Sequence, residues 1–134
     1  MATSPLPPKV LEFLARPNPA VIATVRPDGQ PVSVATWYLL EEGEILVKMD
    51  ESRRRLEYLR ADPRVSLTVL AADDWYTHVS LQGRVVRFDN DPDLADIDRL
   101  AQHYRGHPYL NREQKRVSAW IEVATWHWWG ALAR

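Results

Sequence analysis

Apolar and polar positions alternate with a period of two through much of the chain. Over 65–70, Val65, Leu67 and Val69 share one side and Ser66 and Thr68 the other, the pattern of a strand with one buried face. Further β-type runs lie at 20–25, 32–40, 45–49, 77–88 and 117–123. Turn chemistry separates them, with Pro27-Asp28-Gly29 after the first run and Glu41-Glu42-Gly43 after the second. The run 77–88 changes phase, because Val79 and Leu81 share one parity while Val86 and Phe88 share the other. Gly83 falls at that change and is expected to form a bulge that bends the strand. Residues 126–129, Trp-His-Trp-Trp, either continue the last strand or begin another, with Trp126 and Trp128 on one face and His127 and Trp129 on the opposite one.

Three segments follow a helical period instead. Lys9 to Arg16 places Val10, Phe13 and Leu14 on one face and stops at Pro17. A short helix is expected over 53–61 with Leu56 and Leu59 inward, and a longer one over 92–105 with Leu94, Ile97, Leu100, Ala101 and Tyr104 inward. Asp89, Asp91 and Asp93 near the start of the longer helix, and Arg105-Gly106 near its end, suit the dipole and a C-terminal stop. The Pro-rich residues 1–8 are expected to be loose. The pattern as a whole predicts one mainly β domain with α inserts, a small barrel of six or seven strands spanning 1–134.

Composition narrows the function classes. Seventeen Lys plus Arg balance eighteen Asp plus Glu, for a net charge of −1. That balance argues against broad binding to nucleic acid or to an anionic membrane surface. No cysteine is present, so disulfides, thiolate metal sites and a cysteine nucleophile are excluded. No apolar run reaches the roughly 20 residues of a membrane span, and residues 1–8 do not resemble a secretory leader, so a cytoplasmic protein is expected. The glycines stand singly, which leaves neither a dinucleotide fingerprint nor a phosphate loop.

The near-neutral total hides a concentration. Arg53, Arg54, Arg55, Arg60 and Arg64, five of the seventeen basic residues, fall within twelve positions. The triplet Arg53–Arg55 opens the short helix, where positive charge opposes the dipole by about 0.3–1 kcal/mol per residue. An anion held by free backbone N–H groups and guanidinium forks would offset that cost, and Ser52 is placed to cap the helix or to donate to a phosphate. A solvated arginine run is the alternative, in a chain with fourteen Arg and only three Lys. Position favours the anion.

Two stretches carry a resemblance. Gly-Gln-Pro-Val-Ser-Val-Ala-Thr-Trp-Tyr (29–38) and Asp-Glu-Ser-Arg-Arg-Arg-Leu-Glu-Tyr-Leu-Arg-Ala-Asp-Pro-Arg-Val (50–65) resemble the split-barrel flavin-binding superfamily typified by pyridoxamine 5'-phosphate oxidase. Within it the actinobacterial branch of deazaflavin (coenzyme F-420)-dependent oxidoreductases is the nearest match. Residues 75–88 and Tyr-Arg-Gly-His-Pro-Tyr (104–109) extend the similarity.

The resemblance implies a homodimer of split β-barrels with the cofactor between subunits. It assigns the cofactor phosphate to Arg53 and Arg55, with Arg54, Ser52 and Lys48 beside them, and the ring system to Val34, Ala35, Thr36 and Trp37. The implied cofactor is coenzyme F-420, with FMN as the alternative. Lys48-Met49 lacks the hydroxyl that the oxidase carries nearby, a departure from FMN binding of the oxidase type. The implied reaction is hydride transfer between cofactor and a small organic substrate. An FMN-dependent oxidase or reductase, or a non-catalytic carrier, are the other readings, and no side chain is assigned as catalytic acid.

A barrel of this strand number fills its interior with side chains. A tricyclic ring must therefore lie outside it, with a second subunit as the natural other wall. The six tryptophans, four of them in the last fifteen residues, could close the barrel, the dimer interface or the cofactor pocket.

The remaining candidates are weaker. His103 and His107 have i, i+4 spacing, but Gly106 and Pro108 interrupt it and no metalloprotease Glu follows. His78 shares a face with Ser80 and Gln82, which suits either a substrate contact or a polar barrel face. Asp89, Asp91, Asp93, Asp96 and Asp98 lack the loop glycine and final Glu of a calcium loop. No metal is expected.

Overall fold

The computed structural model describes residues 2–134. In chain order the elements are β1 (Ala2–Thr3), α1 (Pro8–Leu14), β2 (Ala20–Val25), β3 (Pro31–Thr36), β4 (Leu39–Glu41), β5 (Glu44–Asp50), α2 (Arg54–Ala61), β6 (Arg64–Ala71), β7 (Asp74–Asn90), α3 (Ala95–Arg105) and β8 (Arg116–Trp129), followed by a 3-10 turn over Gly130–Ala133. No helix among the described residues is long and apolar enough to cross a membrane.

Every strand pairing is antiparallel, and the order is β3-β2-β6-β7-β8-β5-β4, with β1 added to β8. The two outermost strands, β3 and β4, are consecutive in the chain and only Trp37 and Tyr38 separate them. The sheet therefore curls until its edges meet, yet no ladder joins them. The result is a barrel with a split. The run expected as one strand over 32–40 is cut at that crossing, because the chain must leave one edge and enter the other. Tyr38 is fully buried there and donates its hydroxyl to the Arg16 carbonyl at 3.1 Å.

The barrel interior is apolar, with Ile22, Val47, Leu67, Val69, Val79 and Ile121 among its most buried side chains. Leu46 on the outer face of β5 packs with Leu94, Ile97, Leu100 and Trp120 in a second cluster beneath α3. Strand β5 is thus covered on both faces, which explains its almost unbroken burial.

Gly83 marks an irregularity, but not in the way its sequence position suggests. Register with β8 shifts between Gln82 and Gly83, where Gln82 faces Thr125 and Gly83 faces Val123, so the extra residue is Ala124 on β8. A Cβ on Gly83 would lie 2.0 Å from the Glu122 carbonyl oxygen, and glycine is required by that close approach. The phase of β7 changes later. Val85 is buried with Val79 and Leu81, Val86 is exposed, and the register shifts between Val85 and Arg87.

Three other boundaries differ from expectation, and a fourth, left open between two readings, resolves as one strand. Ala2 and Thr3 pair with Trp126 and Thr125, and Leu6 is buried, so this part of the segment expected to be loose is anchored; Met1 lies outside the described residues. Residues 117–123 and 126–129 form one strand, made continuous by the Ala124 bulge. Helix α1 ends at Leu14, two residues before Arg16, its expected last residue. Helix α3 begins at Ala95 rather than 92, because Asp91 stays outside it and accepts hydrogen bonds from the Asp96 and Ile97 N–H groups at 3.1 Å.

Candidate functional site

A cleft of about 820 Å³ opens beside the split, outside the barrel core. One wall is β3. Val34, Ala35 and Thr36 all line it, and since consecutive residues point to opposite faces, the strand must present its open edge. The opposite wall comes from α2 and α3, and the start of β8 contributes Arg116. The four residues expected to meet the ring, Val34, Ala35, Thr36 and Trp37, thus lie together along one side.

Aromatic rings form one end. Trp37 stacks on Tyr104 with centroids 5.4 Å apart and planes 8° from parallel, and Tyr109 meets Trp37 edge-on at 6.1 Å. The Tyr104 hydroxyl donates to the Asn18 carbonyl at 2.7 Å. Burial pushes its phenol up to about 12. The C-terminal tryptophans take no part. Trp120 packs beneath α3, Trp126 and Trp128 pack against the barrel core, and Trp129 is exposed beside His78 and His127. His78 faces outward there and does not enter the cleft.

Cations form the other end. Lys48, Arg53, Arg54, Arg55 and Arg116 line it, Arg105 lies instead over the Trp37 ring at 6.0 Å, and no Asp or Glu among the described residues lines the cleft. Arg55 is fixed by donation from Nη2 to the Lys48 carbonyl at 3.1 Å, while its buried Nε has no partner. Burial and the nearby Arg53 charge lower its tendency to hold a proton. Arg53 is the N-cap residue of α2, and its Nε donates to Asp50 at 3.2 Å.

Two expected roles change. Ser52 neither caps α2 nor lines the cleft. Its hydroxyl and N–H both donate to Asp50, because Asp50 ends β5 directly beneath the turn. Burial alone would raise the Asp50 carboxyl, but these bonds and Arg53 outweigh it and hold it below the usual range. Lys48 reaches the cleft floor, yet its ammonium is committed: it lies 3.1 Å from Asp91 and donates to Ser118 Oγ at 2.8 Å. Ser118 in turn donates to Asp96 at 2.6 Å. Burial lowers Lys48 despite the pull of Asp91. Burial opposes the Asp91 anion too, but the two helical N–H groups and Lys48 prevail and lower its carboxyl.

Arg116 is absent from the sequence expectations. It follows Lys115 at the first position of β8, far from the arginine triplet in sequence, and its antiparallel pairing with Asp50 brings it there.

A cationic end lined by no carboxylate among the described residues, joined to an aromatic end beside an open strand edge, suits a flat ligand with an anionic tail. Residues 6–130 match the pyridoxamine 5'-phosphate oxidase family. The chain belongs to that family. Its sheet, split between β3 and β4 and accompanied by three helices, is the split-barrel fold, and membership points to a flavin-type cofactor. Among solved structures the family member is similar to an F420 reductase, at 25% identity and a TM-score of 0.81 over 92% of this chain and 98% of the other. A conserved hypothetical protein from Mycobacterium tuberculosis is 26% identical, with a TM-score of 0.71 over 95% and 86% of the two chains. General Stress Protein 26 from Bacillus anthracis shares the fold at 17% identity, with a TM-score of 0.67 over 90% and 91%.

Proposed function

We propose that this family member is a deazaflavin (coenzyme F-420)-dependent oxidoreductase, acting on a small organic substrate as a cytoplasmic homodimer. The observation that carries the reading is the unpartnered, buried Nε of Arg55 in a cleft whose lining is cationic at one end and aromatic at the other. A sealed guanidinium N–H without an acceptor is costly, and a ligand oxyanion would remove that cost. These donors fit a phosphate. The similarity to an F420 reductase favours deazaflavin over FMN. The fully buried side chain of Met49, which offers no hydroxyl to the cleft, agrees.

In this reading Arg53 and Arg55 bind the phosphate, with Arg54, exposed like Arg53, as a further contributor. Trp37 and the edge of β3 orient the ring, and Tyr104, stacked behind Trp37, holds that indole in place. Reduced deazaflavin supplies the hydride when bound. The half-exposed Val34 on β3 fits a second subunit completing the wall and excluding water.

Titration with deazaflavin coenzyme and FMN, followed by fluorescence, tests the cofactor choice. Deazaflavin is expected to bind more tightly, and Arg55→Ala is expected to weaken it by about 10- to 100-fold, the worth of one charged hydrogen bond. Unchanged affinity in that variant would refute the phosphate assignment. Oxidation of the reduced coenzyme by a panel of quinones, enones and tetrapyrroles tests for an enzyme. Binding without any turnover would make the protein a carrier, and sedimentation velocity checks the dimer.

A further inference from the structure

We infer that Arg116 is a ligand-binding residue that holds an oxyanion, a phosphate or a carboxylate, at the inner end of the cleft. The inference rests on the cleft being a ligand site, as proposed above, but not on which flavin occupies it.

Arg116 is only 7% exposed, and its Nε is buried without a hydrogen-bond partner. None of the described residues forms a salt bridge with it, although carboxylates are close by in the fold. Asp50, its Cα partner across the β5–β8 ladder, is taken up by Ser52 and by Arg53 at 3.2 Å. Asp91, whose N–H donates to the Arg116 carbonyl at 2.9 Å, turns its carboxylate to Lys48 and to the start of α3. Asp96 accepts from Ser118 and from Arg99. Each neighbouring anion is already committed, and Arg116 is left with none.

A buried charge lacking a counter-ion is disfavoured in a folded chain. Here the guanidinium is held in place, with its carbon 4.6 Å from the centroid of the Tyr109 ring. A ring against one face steadies the group and leaves its edge free for a two-pronged contact with an oxyanion. Since Tyr109 also meets Trp37 edge-on, Arg116 links the cationic end of the cleft to its aromatic end. It is therefore positioned to sense where an anionic group lies relative to a bound ring.

Arg116→Met keeps the length and removes the charge, and Arg116→Lys keeps the charge and removes the fork. The wild type and both variants are titrated with FMN and riboflavin, and with deazaflavin coenzyme and its phosphate-free chromophore. Thermal unfolding is measured alongside in inorganic phosphate, citrate and chloride at equal ionic strength. Without ligand, Arg116→Met is expected to melt at or above the wild-type temperature. At least tenfold weaker binding of a phosphate-bearing flavin, with the phosphate-free partner unchanged and partial recovery in Arg116→Lys, supports the inference and assigns the oxyanion to the cofactor. Unchanged flavin affinity with loss of the protection given by phosphate or citrate also supports it, and assigns the oxyanion to a separate anionic substrate. Equal weakening of both members of a flavin pair, or wild-type behaviour in every arm, overturns it. A wild-type protein that binds no flavin would defeat the cofactor reading alone, because the melting arms still test Arg116.

Discussion

Removing Asp91 should destabilise the protein far more than removing Lys48, although the two form one ion pair. Both side chains are sealed from water, at 6% and 2% exposure, so the pair lacks the screening that makes surface bridges weak. In Asp91→Ala the Lys48 ammonium keeps only Ser118 as a partner, and α3 loses the acceptor for two of its first N–H groups. An uncompensated buried charge costs about 3–5 kcal/mol and a lost cap about 1 kcal/mol, which together give about 4–6 kcal/mol. In Lys48→Met the Asp91 carboxylate retains both helical N–H groups, and the apolar stem is replaced, so about 1–3 kcal/mol is expected. The double variant leaves no orphaned charge and should cost less than the sum of the single ones by about 2 kcal/mol. Urea unfolding followed by tryptophan fluorescence measures all three. A Lys48 variant as damaged as the Asp91 variant, or strict additivity, would refute the reasoning.

Gly83→Ala should cost about 3 kcal/mol and lower the melting temperature by about 10 °C, since β7 and β8 must part and lose ladder bonds to admit the methyl group; calorimetry checks it. Burial raises both Tyr104, to about 12, and Tyr38. Because the folded values lie above the unfolded one, this stability is intact below about pH 10 and is lost as pH rises through the folded values. Phenolate absorbance of these two tyrosines should therefore appear together with loss of folded circular dichroism, and their early titration without unfolding would contradict the packing.

The period-two runs and turn residues were sufficient for the long strands, though not for β1 or for the break between β3 and β4, because register in a half-buried sheet follows side-chain parity. Parity failed where two strands carry unequal numbers of residues. Ala124 and Val86 are extra residues that only the partner strand reveals. The arginine triplet was legible because its charge sits where a helix start disfavours it. Arg116 was not, since its meaning comes from Asp50, sixty-six positions away in sequence but opposite in the ladder. The bonds that engage Lys48 and Ser52 within the fold were hidden for the same reason: a sequence shows donors but not the acceptors already waiting for them. The C-terminal tryptophans were left open among barrel, interface and pocket, and the fold packs Trp126 and Trp128 on the barrel core, outside the cleft lining.

The open edge of β3 bears on how this protein can diverge. A wall made of main-chain N–H and C=O groups offers the same contacts whatever side chains flank it, so substitutions along β3 leave that surface largely unread. In the proposed reading, discrimination among ligands falls on the few side chains that face the cleft from the other walls, such as Arg55 and Arg116.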